Sequence, residues 1–237
     1  MKLSAPVYHL KRRARLLARH YKIPLHAALD RIAREEGFPS WSLLCAQATG
    51  TSGECDILSR LADGDILLLG ARPGQGKTLL GLKLLLDAVN DGRRAVFFTL
   101  EYTGTETRQR IRSLEGGKPS LGEAVEIIAD DDICGSSIIH HLAGAPRGTV
   151  AVIDYLQLLD QRRDKPNLAD QVEALRDFAG NAGIILVFLS QIDRSFDPQN
   201  KPLPDLQDIR MPNPVDIALF SKTCFLHQGK AQFQSRA

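Results

Sequence analysis

Apolar residues occur in short, uninterrupted runs through most of this chain, and amphipathic segments separate the runs. The runs lie at residues 66–69, 95–99, 150–153 and 184–190. The amphipathic segments lie at residues 78–89, 105–114 and 168–179. Runs of this length are typical of strands that are buried on both faces, whereas the segments between them have helical spacing. The alternation predicts an α/β fold, in which helices flank both faces of a mainly parallel sheet.

The first 50 residues have a different pattern, with apolar residues at helical spacing and no strand-like run. A basic helix is predicted over residues 4–21, a second helix after Pro24 and a third after Pro39. A Thr-Gly-Thr-Ser-Gly-Glu segment follows, with the composition of a linker. We therefore predict a basic helical module over residues 1–50 and an α/β domain over residues 54–237.

Charge separates the same two parts of the chain. The first 36 residues hold nine Lys and Arg against three acidic residues, which gives +6, whereas the net charge of the whole chain is +2. Such asymmetry favours contact with a polyanion, most simply DNA, although a solvated helix face also fits. Arg12 and Arg13 are the candidate DNA contacts in this module.

Other protein classes fit the composition poorly. No apolar run approaches the roughly 20 residues that a membrane-spanning helix needs, so no membrane association is expected. The N-terminus lacks the apolar stretch of a secretory signal, which predicts a cytoplasmic protein. The four cysteines are scattered without CxxC spacing, which argues against a zinc site and a disulfide framework.

The strongest motif is GARPGQGKT at residues 70–78, which follows an apolar run and opens an amphipathic segment. Strand, glycine-rich turn and helix are the context of a phosphate-binding loop, whose backbone N–H groups surround phosphate oxygens. Lys77 would contact the β- and γ-phosphates of ATP, and Thr78 would bind Mg²⁺. Alanine occupies the position of the first glycine in this motif. The predicted nucleotide-binding residues of the loop are Ala71, Arg72, Pro73, Gly74, Gln75, Gly76, Lys77 and Thr78.

Polar residues follow three further predicted strands, at the edge of the sheet where chemistry gathers in α/β folds. Asp154 would bind Mg-ATP, holding the metal through its water shell. Glu101 would polarise the attacking water, although a surface glutamate at a strand end fits the same pattern. Gln191 would hydrogen-bond the γ-phosphate or the attacking water.

Together these segments resemble DnaB-type replicative DNA helicases of the RecA-like P-loop NTPase superfamily. The resemblance covers about residues 54–220 and rests on GARPGQGKT, VFFTLEYT, VIDYLQLL, LSQIDRS and PDLQDIR. It implies a RecA-like core in which Glu101 is the catalytic base, Gln191 is a sensor and Asp154 is the Walker B residue. Lys77 would also be catalytic through its contact with the transferred phosphate.

The resemblance also indicates where DNA would bind. In this family, DNA-contacting loops follow the Walker B strand and the sensor strand. In this chain, the loop after the Walker B strand contains Arg162, Arg163 and Lys165, and the loop after the sensor strand contains Arg194 and Lys201. Basic groups in these loops would contact the phosphates of single-stranded DNA. Ordinary solvated loops fit equally well.

Two departures from the family pattern stand out. The N-terminal module is much smaller than the helical domain of these helicases. The Lys-x-Arg segment that supplies an arginine finger in trans is not reproduced, since Lys230 and Arg236 have a different spacing.

The leading hypothesis is an ATP-hydrolysing, DnaB-like helicase or DNA-dependent ATPase that acts in DNA replication or repair as a homo-oligomeric ring or filament. An alternative is an ATP-gated module that binds DNA or protein, turns over slowly and does not unwind. A third is a regulatory RecA-like ATPase that acts on another protein without nucleic acid.

Overall fold

The computed structural model describes most of the chain. The described residues are 4, 7–41, 43–44, 57–115, 121–130, 132–160, 166–193, 195–197, 201, 204–210, 215–227 and 230–235. They divide into two compact units: the first holds residues of 1–54 together with residues 74–76 and 230, and the second holds the remaining described residues. The predicted linker between the two domains lies outside the described residues, so the predicted domain boundary stays a prediction.

The first unit is helical. Its helices are α1 (Val7–Tyr21) and α2 (Leu25–Glu35), and residues 41, 43 and 44 have helical backbone as well. These elements confirm the predicted helices after residue 4 and after Pro24. Apolar residues from all three segments form one small core: Leu10, Ala14, Ala28, Ile32, Ala33, Phe38, Trp41 and Leu44. Asp30 accepts a hydrogen bond of 2.9 Å from the backbone N–H of Trp41, which ties the third segment to α2.

Seven strands form one sheet in the second unit. They are β1 (Ile66–Ala71), β2 (Ala95–Thr99), β3 (Val125–Ile128), β4 (Val150–Asp154), β5 (Ile185–Gln191), β6 (Lys222–His227) and β7 (Lys230–Ser235). The strand order is β3-β2-β4-β5-β1-β6-β7, and the first six strands in this order pair in parallel. The predicted mainly parallel sheet is confirmed, and its four predicted strands are β1, β2, β4 and β5.

Four α-helices of the second unit lie within the described residues. They are α3 (Lys77–Asn90), α4 (Gly104–Leu114), α5 (Gly135–Leu142) and α6 (Leu168–Ala182), which confirms the three predicted amphipathic segments. A capping box of Thr103 and Glu106 begins α4. Asn167 caps the start of α6, and Gly183 ends it with φ 68°. Among the described helices, none is both long and apolar enough to cross a membrane.

The sheet is buried on both faces because alternate residues of its strands enter two separate cores. On one face, Leu68 and Phe188 belong to the core that contains residues of α5 and α6. On the other face, Leu67 and Val187 belong to the core that contains residues of α3 and α4. Burial on both faces explains why the strands have uninterrupted apolar runs rather than alternating ones.

A glycine lets α3 approach the sheet closely. A Cβ atom at Gly81 would lie 3.1 Å from Val152 Cγ1 and 3.2 Å from Leu189 Cδ1, so any side chain at this helix position would press against those two residues. The contact joins α3 to β4 and β5, the strands that end at Asp154 and Gln191. Gly81 therefore helps to fix the start of α3 relative to those strand ends.

Gly81→Val is expected to lower the free energy of unfolding by about 1–3 kcal/mol, because the added atoms overpack a buried contact. Urea denaturation followed by circular dichroism measures the change. Gly180→Val is the matched control: Gly180 lies in α6, and a Cβ there would meet no atom within 4 Å. The control should change stability by less than about 0.5 kcal/mol. Equal effects of the two substitutions would contradict the close packing at Gly81.

Candidate active site

The candidate site lies at the carboxyl edge of the sheet. Thr99 of β2 pairs with Asp154 of β4, and Ala71 of β1 pairs with Gln191 of β5. Because these strands are parallel, their last residues reach the same edge. The polar residues that follow the central strands are therefore brought close together, as the sequence predicts.

The loop of residues 72–76 joins β1 to α3. Gly74 has φ 76° and Gly76 has φ 89°, a backbone conformation that favours glycine. Ala71, by contrast, is the last residue of β1 and pairs with both Gln191 and Leu226, so it has an extended conformation. The alanine at the first position of the motif is therefore compatible with the backbone of the loop.

Lys77 is the central cation of the site. Its Nζ lies 2.8 Å from Asp154 Oδ1 and 3.4 Å from Glu101 Oε2. Lys77 is 7% exposed and Asp154 is 1% exposed, so this ion pair is shielded from water. The hydroxyl of Thr78 donates a hydrogen bond of 2.7 Å to the other oxygen of Asp154. Lys77 and Thr78, the first two residues of α3, thus both contact the carboxylate of Asp154 at the end of β4.

Glu101 lies just beyond β2, in a turn held by Thr99. The Thr99 hydroxyl accepts hydrogen bonds from the backbone N–H groups of Glu101, at 3.1 Å, and Tyr102, at 3.3 Å. The Tyr102 hydroxyl donates a hydrogen bond of 3.3 Å to Glu101 Oε1. Burial and the nearby charge of Glu101 raise the pKa of Tyr102 to about 12, so its hydroxyl stays protonated at neutral pH. Glu101 is therefore oriented on one oxygen by Tyr102 and on the other by Lys77.

Carboxylates outnumber the ammonium group among the ion pairs of Lys77. Two carboxylates, from Asp154 and Glu101, surround the single ammonium group of Lys77. The ring of Tyr155 lies 5.2 Å from Lys77 Nζ and adds a cation–π contact. A polyphosphate that enters such a site needs an accompanying cation, since its charge would otherwise be repelled by the carboxylates.

Gln191 is less closely associated with these residues. It ends β5 with a partly exposed side chain, and within the described part of the chain that side chain makes no hydrogen bond to the Lys77 cluster. Its backbone carbonyl accepts a hydrogen bond of 2.9 Å from the N–H of Arg210. Ile192 and Ile209 form an antiparallel bridge beside it, so the segment around Arg210 is tied to the end of β5.

Gln157 makes a second connection to the same segment, which the sequence did not predict. Its side-chain amide donates hydrogen bonds to Ser190 Oγ, at 3.0 Å, and to the backbone carbonyl of Arg210, at 2.6 Å. Gln157 lies three residues after Asp154, within the VIDYLQLL motif. The motif marks this segment in the sequence. The hydrogen-bond partners of Gln157 are distant in sequence, however, and only the fold brings them together.

The structure describes some of the candidate DNA contacts and not others. Arg162, Arg163, Lys165 and Arg194 lie outside the described residues. Lys201 is described and forms ion pairs with Asp205 and Asp208, which raise the pKa of its ammonium group. Arg12 and Arg13 are exposed residues of α1 in the first unit.

The curated proteins that match this chain include replicative DNA helicases. No protein-family model matches this chain. A probable plasmid replicative DNA helicase of Chlamydia trachomatis is 29% identical over an alignment that covers 72% of this chain and 47% of the relative. The replicative DNA helicase DnaB of Helicobacter pylori is 24% identical over an alignment that covers 90% of this chain and 51% of the relative. The chain therefore spans about half the length of the curated relatives it matches.

Solved structures show the same fold. One of them, an ATPase domain, aligns with a TM-score of 0.56 at 19% identity, covering 70% of each chain. A DnaB-like replicative helicase, described with its interactions with primase, aligns with a TM-score of 0.57 at 18% identity and covers 93% of this chain and 67% of that one. The predicted RecA-like fold and the resemblance to DnaB-type helicases are confirmed.

Proposed function

Because this chain resembles the RecA-like ATPase domains of DnaB-type replicative helicases in sequence and in fold, we propose that it is a DNA-dependent ATPase that acts in DNA replication. One observation carries the proposal: Lys77, which directly follows the phosphate-binding loop, pairs with the carboxylates of Asp154 and Glu101, and the Thr78 hydroxyl donates a hydrogen bond to the same Asp154. This combination supplies donors for phosphate, oxygen ligands for a divalent cation and a carboxylate for water activation.

Lys77 and the loop would bind the phosphates of ATP. Glycines at positions 74 and 76 permit the turn that directs backbone N–H groups inward, and α3 adds the positive end of its dipole. Lys77 would exchange its contacts with the two carboxylates for contacts with the β- and γ-phosphates. The exchange keeps the ammonium group paired, so its burial is tolerated in both states.

Mg²⁺ fits the remaining ligands. Thr78 and Asp154 present hydroxyl and carboxylate oxygens, the ligand type that this ion prefers, and their side chains already lie 2.7 Å apart. Thr78 would bind the ion directly and Asp154 through water. The ion would neutralise phosphate charge as the terminal phosphate is transferred.

Glu101 would orient and polarise the attacking water. Its contacts with Tyr102 and Thr99 hold the carboxylate at the end of β2, facing the start of α3. When Lys77 turns to the phosphates, one oxygen of Glu101 loses its cation and becomes available to accept a proton from water. Tyr102 would keep the other oxygen in place during this step.

Gln191 would report the loss of the γ-phosphate. Its backbone hydrogen bond to Arg210, and the side chain of Gln157, connect the end of β5 to the segment of residues 204–210. A shift of the strand end would therefore be passed to the loop that precedes this segment, which contains the candidate DNA contacts Arg194 and Lys201. Arg162 and Arg163 would contact DNA from the loop that follows β4.

Homo-oligomerisation as a ring or filament belongs to the same proposal. The resemblance to DnaB-type helicases supports it, and ATP would then lie at the boundary between neighbouring copies. Single-stranded DNA is the expected nucleic acid, because basic groups in loops at the edge of such a sheet would contact the phosphate backbone of one DNA strand.

The test is steady-state ATP hydrolysis by the whole chain with and without a single-stranded oligonucleotide. We expect the rate to increase several-fold with single-stranded DNA, and duplex DNA of the same length is the comparison. Tight ATP binding with a slow rate that DNA leaves unchanged would contradict the proposal and favour the ATP-gated binding module.

A further inference from the structure

Helix α1 presents three arginines on its exposed face. Arg12, Arg15 and Arg19 are spaced three and four residues apart, so they lie on the same side of the helix. All three are exposed, whereas Leu10 and Ala14 on the opposite side are fully buried in the core of the first unit. Helix α1 contains no acidic residue. We call these three residues the arginine stripe.

Arg13 neighbours the arginine stripe but forms ion pairs with acidic residues. Arg13 lies 3.0 Å from a carboxylate oxygen of Glu35 and 3.8 Å from one of Glu36. Within the part of the chain that the structure describes, the three stripe residues form no ion pair or hydrogen bond. Like charges at this spacing repel one another and destabilise the helix. Three uncompensated cations on one face therefore favour an external partner that supplies negative charge.

The apolar residues near the stripe narrow the choice of partner. Leu16 is 59% exposed and lies on the same face, four residues after Arg12 and three before Arg19. A single exposed leucine gives too little apolar area for a helix that inserts into a membrane surface. It does provide an apolar contact for a sugar or a base beside a phosphate chain.

We propose that the arginine stripe binds the phosphate backbone of nucleic acid, as a contact separate from the ATPase unit and independent of ATP. The seven-residue span from Arg12 to Arg19 corresponds to about 10 Å of helix. One strand of DNA presents about three phosphates over that length, at roughly 3.4 Å each. The number of cations in the stripe is thus close to the number of phosphates on one strand over the same length.

Binding of this kind has recognisable properties. Contacts with phosphate alone are independent of sequence, and their affinity falls steeply as salt releases counterions. Arg13 is predicted from the sequence as a DNA contact, but its ion pairs with Glu35 and Glu36 leave it less charge to offer. Arg15 and Arg19 take its place in this proposal, whereas Arg12 is retained.

The test is fluorescence anisotropy of a labelled 30-nucleotide strand and its duplex with the whole chain, without nucleotide, at 50 and 200 mM salt. Arg15→Gln combined with Arg19→Gln removes two stripe cations. Arg34→Gln combined with Lys83→Gln removes two other exposed cations, from α2 and α3, and is matched in charge. The stripe variant should bind about tenfold more weakly. Its logarithmic salt slope should decrease by about 1.4 for the single strand and about 1.8 for the duplex.

The control variant should bind within about twofold of the unmodified chain, since it retains the stripe. Equal losses in the two variants would overturn the proposal, because net charge alone would then explain binding. Absence of binding by the unmodified chain at 50 mM salt would also overturn it and would direct attention to an acidic protein partner.

Failure of this proposal is distinguishable from failure of the proposed ATPase. The stripe variant should hydrolyse ATP without DNA at the unmodified rate, because the arginine stripe lies outside the Lys77 cluster. Conversely, a Lys77→Ala chain should keep its nucleotide-free binding to DNA when it is assayed well below its lowered melting temperature. Loss of that binding in the Lys77→Ala chain would contradict the separation of the two sites.

Discussion

Lys77→Ala is expected to weaken Mg-ATP binding by between tenfold and about a hundredfold. The substitution removes charge-assisted hydrogen bonds to phosphate, which contribute about 1.5–3 kcal/mol. It also leaves Asp154, which is 1% exposed, without the cation that lies 2.8 Å away. Breaking a buried ion pair costs about 3–5 kcal/mol, so the melting temperature of the nucleotide-free chain should decrease as well.

Isothermal titration with Mg-ATP, well below the melting temperature, measures the first effect, and thermal unfolding measures the second. Lys83→Ala is the matched control, because Lys83 is an exposed residue of the same helix. It should change neither quantity appreciably. Unchanged nucleotide affinity in the Lys77→Ala chain would contradict the assignment of the phosphate-binding site.

Glu101→Gln is expected to slow ATP hydrolysis by a factor of about 10² to 10⁴, the usual contribution of a general base. The amide keeps the size of the side chain and its hydrogen bond with Tyr102, but it accepts no proton from water. ATP affinity should stay within about threefold, because Glu101 is proposed to contact water rather than phosphate. Single-turnover hydrolysis and equilibrium ATP binding separate the two quantities.

Glu173→Gln is the control for this substitution, since Glu173 is an exposed carboxylate on α6. Its hydrolysis rate should equal that of the unmodified chain. A Glu101→Gln chain that keeps its rate would show that another group activates the water. A parallel loss of ATP affinity would instead assign Glu101 to nucleotide binding.

The central part of the fold is predictable from the sequence because its local signals agree. Buried parallel strands have uninterrupted apolar runs, and the helices between them have clear periodicity and capping residues such as Thr103 and Asn167. Strand β3 was not predicted. It has only four residues, includes Glu126 and lies at an end of the sheet, so three of its residues are only partly buried.

The residues of the candidate site were predictable for a related reason. Lys77, Thr78, Glu101 and Asp154 each follow or begin a recognisable element, and parallel strands bring their ends to one edge. Contacts between distant segments were not predictable from spacing. The hydrogen bond of Tyr102 to Glu101 depends on the turn after β2, and the bonds from Gln157 depend on how the segment before Arg210 returns to β5. The pairing of Arg13 likewise requires the packing of α1 against α2.

The central claim is that this chain hydrolyses ATP with the groups gathered around Lys77. Steady-state phosphate release from Mg-ATP, measured for the unmodified chain and for Glu101→Gln with single-stranded DNA present, tests it most directly. We predict sustained turnover by the unmodified chain and a rate at least about a hundredfold lower for the variant. Equal rates in the two proteins, or no turnover by the unmodified chain, would contradict the account.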